Sequence, residues 1–296
     1  MNILIIGSKG FIGSHTFNYF SKKHQVFGCD IIEGKGEEPY FLLAANNPDF
    51  SEFFKQKQFD VCINCSGAAS VPESVINPIS DFHLNVVNVF KILDAIREYN
   101  PECKFLNLSS ASVYGKPEKL PINEDQKLNP ISPYGYHKLL AENICKEFYQ
   151  LYKIQTCSAR IFSAYGIGLK KQIFWDLFIK MKTQNAIELF GTGEETRDFI
   201  HVNDLAIQLG LIIQNAPFKA DKINIANGKQ NSLKEIVTIF AKAMEFEGAI
   251  IFNGQNRIGD PKNWIADISI IQKMGYQKSI CIEEGIKEYI NWVTNQ

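Results

Sequence analysis

Residues 2–6, NILII, are apolar or small with no polar alternation, and the seven that follow, GSKGFIG, hold three glycines at Gly7, Gly10 and Gly13. Such a run suits a strand covered on both faces, as in a parallel sheet between two layers of helices. A turn needs one glycine. Three at this spacing, just ahead of a helical pattern from Phe11 to Lys22, point to a loop whose backbone lies against a ligand. The first permits the tight turn, the second admits a pyrophosphate, and the third lets helix pack on strand. The helix N-terminus adds free N–H groups and partial positive charge for the phosphates. Asp30 closes the next strand-like run, 20 positions after Gly10. A carboxylate there binds the adenosine ribose hydroxyls and repels a 2′-phosphate, which favours NAD over NADP. Gly7, Gly10, Phe11, Ile12 and Gly13, with Asp30 and Ile31, are the residues expected at the dinucleotide.

The rhythm continues downstream. QVFGCDII (25–32), DVCINCS (60–66), KFLNLSS (104–110) and TCSARIF (156–162) read as strands. From Asn85 to Tyr99 a helical period runs through Val86, Val89, Phe90, Leu93 and Ile96. Pro133 to Tyr152 reads as a long helix, with Ser132 as N-cap and Pro133 in its first turn. The alternation predicts an α/β fold, a doubly wound parallel sheet with helices on both faces. Past about residue 165 the rhythm breaks into longer loops and isolated helices. The expectation is an NAD-binding Rossmann domain over 1–165 and a smaller α/β substrate lobe over 166–296, interleaved with the first; 296 residues suffice for both.

With 31 basic against 32 acidic residues and a net charge of -1, the chain gives no electrostatic reason to expect nucleic acid or an anionic membrane as partner. No apolar run is long enough to span a bilayer. The N-terminus has no basic segment leading into an apolar stretch and cleavage site, so no signal peptide is expected. Seven cysteines, an odd number set mostly in apolar segments, fit a reducing cytoplasm. Cys62 and Cys65 form a lone C-x-x-C with no second pair and no histidine at ligand spacing, so they read as strand residues and no metal is expected.

The segment PYGYHK places Tyr134 and Lys138 four apart on the long helix, on one face. The pairing has a chemical reason. A phenol with a pKa of about 10 is a poor base at neutral pH. An adjacent ammonium and a nicotinamide cation stabilise its phenolate. Tyr134 could then take a hydroxyl proton as hydride leaves the same carbon. Lys138 would also bond the nicotinamide ribose. The stretch LSSASVYG (108–115) ends a strand ahead of this helix, and strand C-termini are where open α/β sheets bind ligands.

Taken together, GSKGFIG, SSASVYG and SPYGYHK resemble the extended short-chain dehydrogenases of the NAD-dependent epimerase/dehydratase family. NCSGAASVPES (64–74), LNVVNVFKILDAI (84–96), ARIFSAYG, GTGEETRDFIHVNDLA and GDPKNWIADIS extend the resemblance almost to the C-terminus. It implies Ser110 as the catalytic hydroxyl beside Tyr134 and Lys138. It implies Asn85, Ser66 and Gly67 near the cofactor, and Arg197 and Arg257 as clamps on the diphosphate of a sugar nucleotide, a task suited to the planar guanidinium fork. Ser112 and Ser163 join them on the substrate side, although many relatives carry Asn where Ser163 stands. Asp204 reads as a helix N-cap and His201 as a packed or hydrogen-bonding residue. The resemblance further implies a homodimer packed through the helices at 85–99 and 133–152.

Relatives that eliminate water place Asp-Glu directly after the catalytic hydroxyl, and decarboxylating relatives use a Glu where Ser112 stands. Ala111 and Ser112 can do neither. Two activities remain open: a C4 epimerase working through a 4-keto sugar, and a 4-keto-sugar reductase or dehydrogenase. A cofactor-binding regulator without catalysis is a third, weakened by the intact Ser110, Tyr134 and Lys138 set.

Overall fold

The computed structural model describes residues 1–34, 39–255, 262–278 and 280–296. The first half alternates as β1 (Asn2–Ile6), α1 (Phe11–Ser21), β2 (Gln25–Asp30), β3 (Tyr40–Leu42), α2 (Ser51–Gln56) and β4 (Val61–Asn64). Then come α3 (Val71–Ile76), α4 (Pro78–Phe82), α5 (Asn88–Tyr99), β5 (Lys104–Ser110), α6 (Pro133–Tyr152) and β6 (Thr156–Ile161). The second half holds β7 (Ser163–Tyr165), α7 (Gln172–Thr183), β8 (Ala186–Leu189), β9 (Thr196–His201), α8 (Val202–Asn215) and β10 (Lys219–Ile225). It ends with β11 (Gln230–Ser232), α9 (Leu233–Ala243), β12 (Ala249–Phe252), α10 (Ser269–Lys273) and α11 (Ile282–Thr294).

Seven strands form one sheet in the order β10-β6-β5-β4-β1-β2-β3, and every pairing in it is parallel. The unbroken apolar run of β1 is explained by its two covers. Ile3 and Ile5 join the core beneath α8 and part of α1, with Leu205, Leu209 and Ile212. Leu4 and Ile6 join the opposite core beneath α2, α5 and α6, with Phe53, Ile92, Ala141 and Phe148. Each fully buried aliphatic side chain contributes about 1.5–3 kcal/mol, so neither face tolerates polar alternation. A third core, with Phe174, Phe199, Phe240 and Tyr289, underlies β7, β9 and helices α7, α9 and α11.

The sheet does not stop where the sequence rhythm stops. β10, from beyond residue 165, pairs with β6 from Lys219↔Thr156 to Ile225↔Ile161. The remaining strands form a three-stranded sheet, β11-β9-β7, and a two-stranded pair, β12-β8.

Two local findings matter for the site. α6 begins as its sequence indicates: Ser132 Oγ accepts the Gly135 N–H at 3.1 Å and Pro133 occupies the first turn. The helix expected from Asn85 instead starts with a π-helical turn, His83–Val87, joining α4 to α5. Such turns recur at functional sites because the extra residue re-aims a side chain. Here the turn contains Asn85, which is buried.

Candidate active site

β1 and β4 are neighbours whose connections leave in opposite directions, which opens a crevice at their C-terminal ends. The glycine loop fills it. Gly7 has φ +80°, and a Cβ there would stand 2.7 Å from Ser66 N, so the loops after β1 and β4 touch backbone to backbone. A Cβ on Gly13 would lie 2.0 Å from the Gly7 carbonyl oxygen, so α1 packs directly on the loop that precedes it. Asp30 is held at the end of β2 by the N–H groups of Lys9 at 2.9 Å and Ile31 at 2.7 Å. Ser66 donates from Oγ to Asn64 Oδ1 at 2.6 Å.

Asn85 faces Gly67 so closely that a Cβ on that glycine would meet its Oδ1 at 2.5 Å. Both polar atoms of its carboxamide are buried, and neither has a hydrogen-bond partner among the described residues. Native proteins rarely leave buried amides unpaired. An unsatisfied amide beside a glycine cradle at a helix N-terminus fits a dinucleotide lying across these loops. Gly10, Phe11 and Ile12 stand at that helix start, and Ile31 is exposed just beyond Asp30.

Across the crevice, β5 and α6 bring Ser110, Ser112, Tyr134 and Lys138 together. Ser110 ends β5 and accepts the Ser112 N–H at 3.1 Å, with its own hydroxyl 3.1 Å from Ser112 Oγ. Lys138 Nζ donates to the Leu108 carbonyl at 2.9 Å and lies 5.8 Å from the centre of the Tyr134 ring. Burial pushes the Tyr134 phenol up to about 12, against a lowering hydrogen bond with Ser110, and the Asp81 charge adds to the rise. Burial pulls the Lys138 ammonium down to about 8, with Asp81 the strongest influence holding it up.

The spacing between β5 and α6 is locked from behind. Glu142, one turn past Lys138, accepts from Ser109 Oγ at 2.6 Å and from Arg160 Nε and Nη2 at 3.0 and 2.8 Å. Both ions are nearly sealed from solvent, at 1% and 2% side-chain exposure. Removing one partner of such a pair costs about 3–5 kcal/mol.

Ser163 and Arg197 stand on the three-stranded sheet, on β7 and β9. Arg197 is half-buried, and its Nη1 donates to the Thr196 carbonyl at 2.8 Å. Arg257 lies outside the described residues. Asp204 is not the cap of α8: the capping group is the His201 ring, whose Nδ1 accepts from Asn203 N at 3.3 Å, while Asp204 sits in the first turn and accepts from Ile280 N. Cys62 is a buried residue of β4 with Cys65 just past its end, and burial pushes the Cys65 thiol up to about 12.

Several supports escape a reading of the sequence. Ser74 Oγ accepts the Tyr134 N–H at 3.1 Å, and Asp81 accepts from His137. Asp198 gathers N–H groups from Asn227, Gly228 and Ala266 at 2.9, 3.0 and 3.1 Å. Only the last had a signal, its place beside Arg197 in ETRDF.

Comparison with known proteins gives a consistent result. The chain is 31% identical over 307 residues to a Methanocaldococcus jannaschii protein named as a UDP-glucose 4-epimerase, covering 99% of this chain and 98% of that one. Among solved structures it superposes, at 24% identity and TM-score 0.90, on UDP-glucuronic acid 4-epimerase from Bacillus cereus in complex with UDP-glucuronic acid and NAD, covering 100% and 99% of the two chains. It also matches UDP-N-acetylglucosamine 4-epimerase from Methanobrevibacter ruminantium at 24% identity and TM-score 0.89, covering 99% and 98%. Residues 3–226 match the model of one family over most of the chain, and the protein belongs to it: the NAD dependent epimerase/dehydratase family.

Proposed function

We propose that this protein is an NAD-dependent sugar-nucleotide epimerase that inverts C4 through a transient 4-keto sugar. The observation that carries the proposal is the meeting of Tyr134, Lys138 and Ser110 at the crevice, with Lys138 Nζ 5.8 Å from the phenol ring. Tyr134 Oη removes the C4 hydroxyl proton, and Ser110 bonds the same sugar oxygen. Lys138, an ammonium beside the ring, stabilises the phenolate and reaches the nicotinamide ribose. NAD, held by the glycine loop and Asp30, would supply reversible hydride acceptance at C4. Tyr134 then returns its proton as the hydride enters the opposite face, so the reaction balances with no net oxidation.

Gly7, Gly10 and Gly13 bind the pyrophosphate with the N–H groups that open α1, at Phe11 and Ile12. Asp30, with Ile31, takes the adenosine ribose, and its carboxylate selects against a 2′-phosphate. Ser66, Gly67 and the unsatisfied Asn85 hold the cofactor from the β4 side. Arg197 pairs with the substrate diphosphate, with Arg257 as second clamp, and Ser112 and Ser163 bond the sugar. The UDP-sugars named for the relatives support uridine as the nucleotide. The place of β10 in the main sheet supports a substrate lobe interleaved with the Rossmann part.

Phe90, Tyr136 and Leu140 are 44%, 53% and 42% exposed on α5 and α6, which supports a homodimer packed through these helices. Seven free cysteines support a cytoplasmic location.

The test is incubation with a panel of UDP-sugars, with products separated by chromatography. Interconversion of C4 epimers without added reductant is expected, and the denatured enzyme releases stoichiometric NAD. Stoichiometric consumption of NADH with a 4-keto sugar, in place of epimerisation, makes the protein a reductase instead.

A further inference from the structure

The first turn of a helix carries N–H groups that have no acceptor within the helix. In α6 Pro133 has none to offer, and Ser132 Oγ takes the Gly135 N–H at 3.1 Å. The Tyr134 N–H goes instead to a different helix: Ser74 Oγ of α3, 60 positions back, accepts it at 3.1 Å. Ser74 is 1% exposed, so the bond is shielded from water. Its hydroxyl proton is already engaged, donated to the Val71 carbonyl at 2.7 Å. A hydroxyl in that state has only lone pairs left to present to α6.

The same turn is also seated on the loop after β5. A Cβ on Gly135 would stand 2.7 Å from the Ser112 carbonyl oxygen, so α6 rests there main chain against main chain. One turn further on, Asp81 of α4 accepts from His137 Nδ1 at 2.5 Å. The segment bearing α3 and α4 begins at the loop with Ser66 and Gly67 and runs on into the π-turn that holds Asn85. Its tie to the start of α6 falls on the residue that carries the phenol.

We propose that Ser74 is a positioning residue for the reaction: by holding the Tyr134 main chain, its hydroxyl sets where the phenol stands relative to Ser110 and Lys138. Two side-chain torsions separate the ring from that main chain, so a displaced helix start carries the phenol with it. A misplacement of about 1 Å at a reacting group costs up to about a hundredfold in rate. The inference rests on the reading of Tyr134 as the acid and base, not on which sugar is turned over.

Ser74→Ala removes the acceptor with little change of volume. Ser70→Ala is its control: Ser70 Oγ caps the same short helix, accepting the Glu73 N–H at 3.2 Å, so its loss weakens α3 without cutting the bond to α6. Tyrosine isotopically labelled at Cζ, with the Tyr134 resonance assigned by its loss in Tyr134→Phe, reports the setting of the phenol in NAD-loaded protein without substrate. In Ser74→Ala that resonance should shift or split, and kcat should fall about tenfold while KM for the sugar nucleotide changes by less than about twofold. Ser70→Ala should leave the resonance and kcat as they are in the native chain. Ser74→Cys, which keeps the volume and offers a weaker acceptor, should displace the resonance in the same direction by less, and it serves if Ser74→Ala does not fold. An unmoved Tyr134 resonance in the variant that folds, a displaced resonance with kcat unchanged, or equal effects in Ser70→Ala overturns the proposal. A displaced resonance confined to the Ser74 variants, in a chain whose native form has no epimerase turnover, upholds the hold of Ser74 on the phenol and defeats the proposed reaction.

Discussion

On the cofactor side of the cleft the parts are local and made of backbone: Asp30 is fixed by the Lys9 N–H, 21 positions away, and the Gly7 loop lies on the loop after β4. On the substrate side the parts are distant and made of side chains. The Asp198 carboxylate reaches N–H groups 29, 30 and 68 positions along the chain. The first kind of site depends on leaving room for main chain, so it responds to added atoms. The second depends on one buried carboxyl whose oxygens collect several loops, so it responds to the loss of an acceptor and to pH.

The largest effect tests the place where the two sides meet. In the proposed reaction Tyr134→Phe removes the hydroxyl assigned to proton transfer, and turnover should fall about a thousandfold, with NAD retention and thermal stability unchanged. Equal losses of bound NAD and activity would mean that the residue serves the cofactor side only.

Next is the backbone side. In Gly13→Ala the new methyl has to displace the Gly7 carbonyl, 2.0 Å away and unable to swing aside. Destabilisation of about 3 kcal/mol with loss of NAD binding should follow, read by chemical denaturation and by isothermal titration.

On the substrate side, His201 supplies a pH test of similar size. Its ring is sealed from solvent, and burial lowers its pKa to about 4 from 6.5. The unfolded chain therefore binds this proton first, and the stability it contributes, present above pH 6.5, is lost as pH falls towards 4, by about 3 kcal/mol in full. Asp198 works in the opposite sense. Burial raises its carboxyl to about 6 from 3.8, so its contribution is lost as pH rises through 6. The two nearly cancel in the native chain. Comparison with His201→Asn separates them: the native advantage over the variant should shrink by about 3 kcal/mol between pH 7 and pH 4, measured by denaturant unfolding.

The smallest effect is also the most selective. Asp198→Asn replaces a carboxylate with an amide that offers a single acceptor oxygen, at a cost of about 1–3 kcal/mol. KM for the sugar nucleotide should rise while the NAD dissociation constant holds. A parallel loss of NAD affinity would dissolve the distinction between the two sides.

The same distinction explains what could be read in advance. The glycine loop, Asp30, β5 and the full span of α6 were legible because their causes lie within a few residues: a strand run, a cap at Ser132, a proline at position 133. The π-turn at Asn85 was not, because Val86 and Val89 keep an apolar period across it and only tertiary packing shows the extra residue. Asp81 and His137 are 56 positions apart with no shared motif. Asp204 is the residue type that caps helices, yet the chain stays extended up to His201, so the ring of that residue takes the role and the acid falls inside the first turn. Sequence patterns report local backbone demands, whereas the charge contacts that tune the pair at Tyr134 and Lys138 arise only once the helices have packed.

The seventh strand has a consequence for dissecting the molecule. β10 covers the outer edge of β6, and α8, just before it, supplies Leu205, Leu209 and Ile212 to one face of the sheet. A fragment ending at residue 165 would thus bare a row of unpaired amides and an oily flank at once, both templates for self-association. Such a half-molecule is expected to clump in the test tube instead of serving as a stand-alone nucleotide binder.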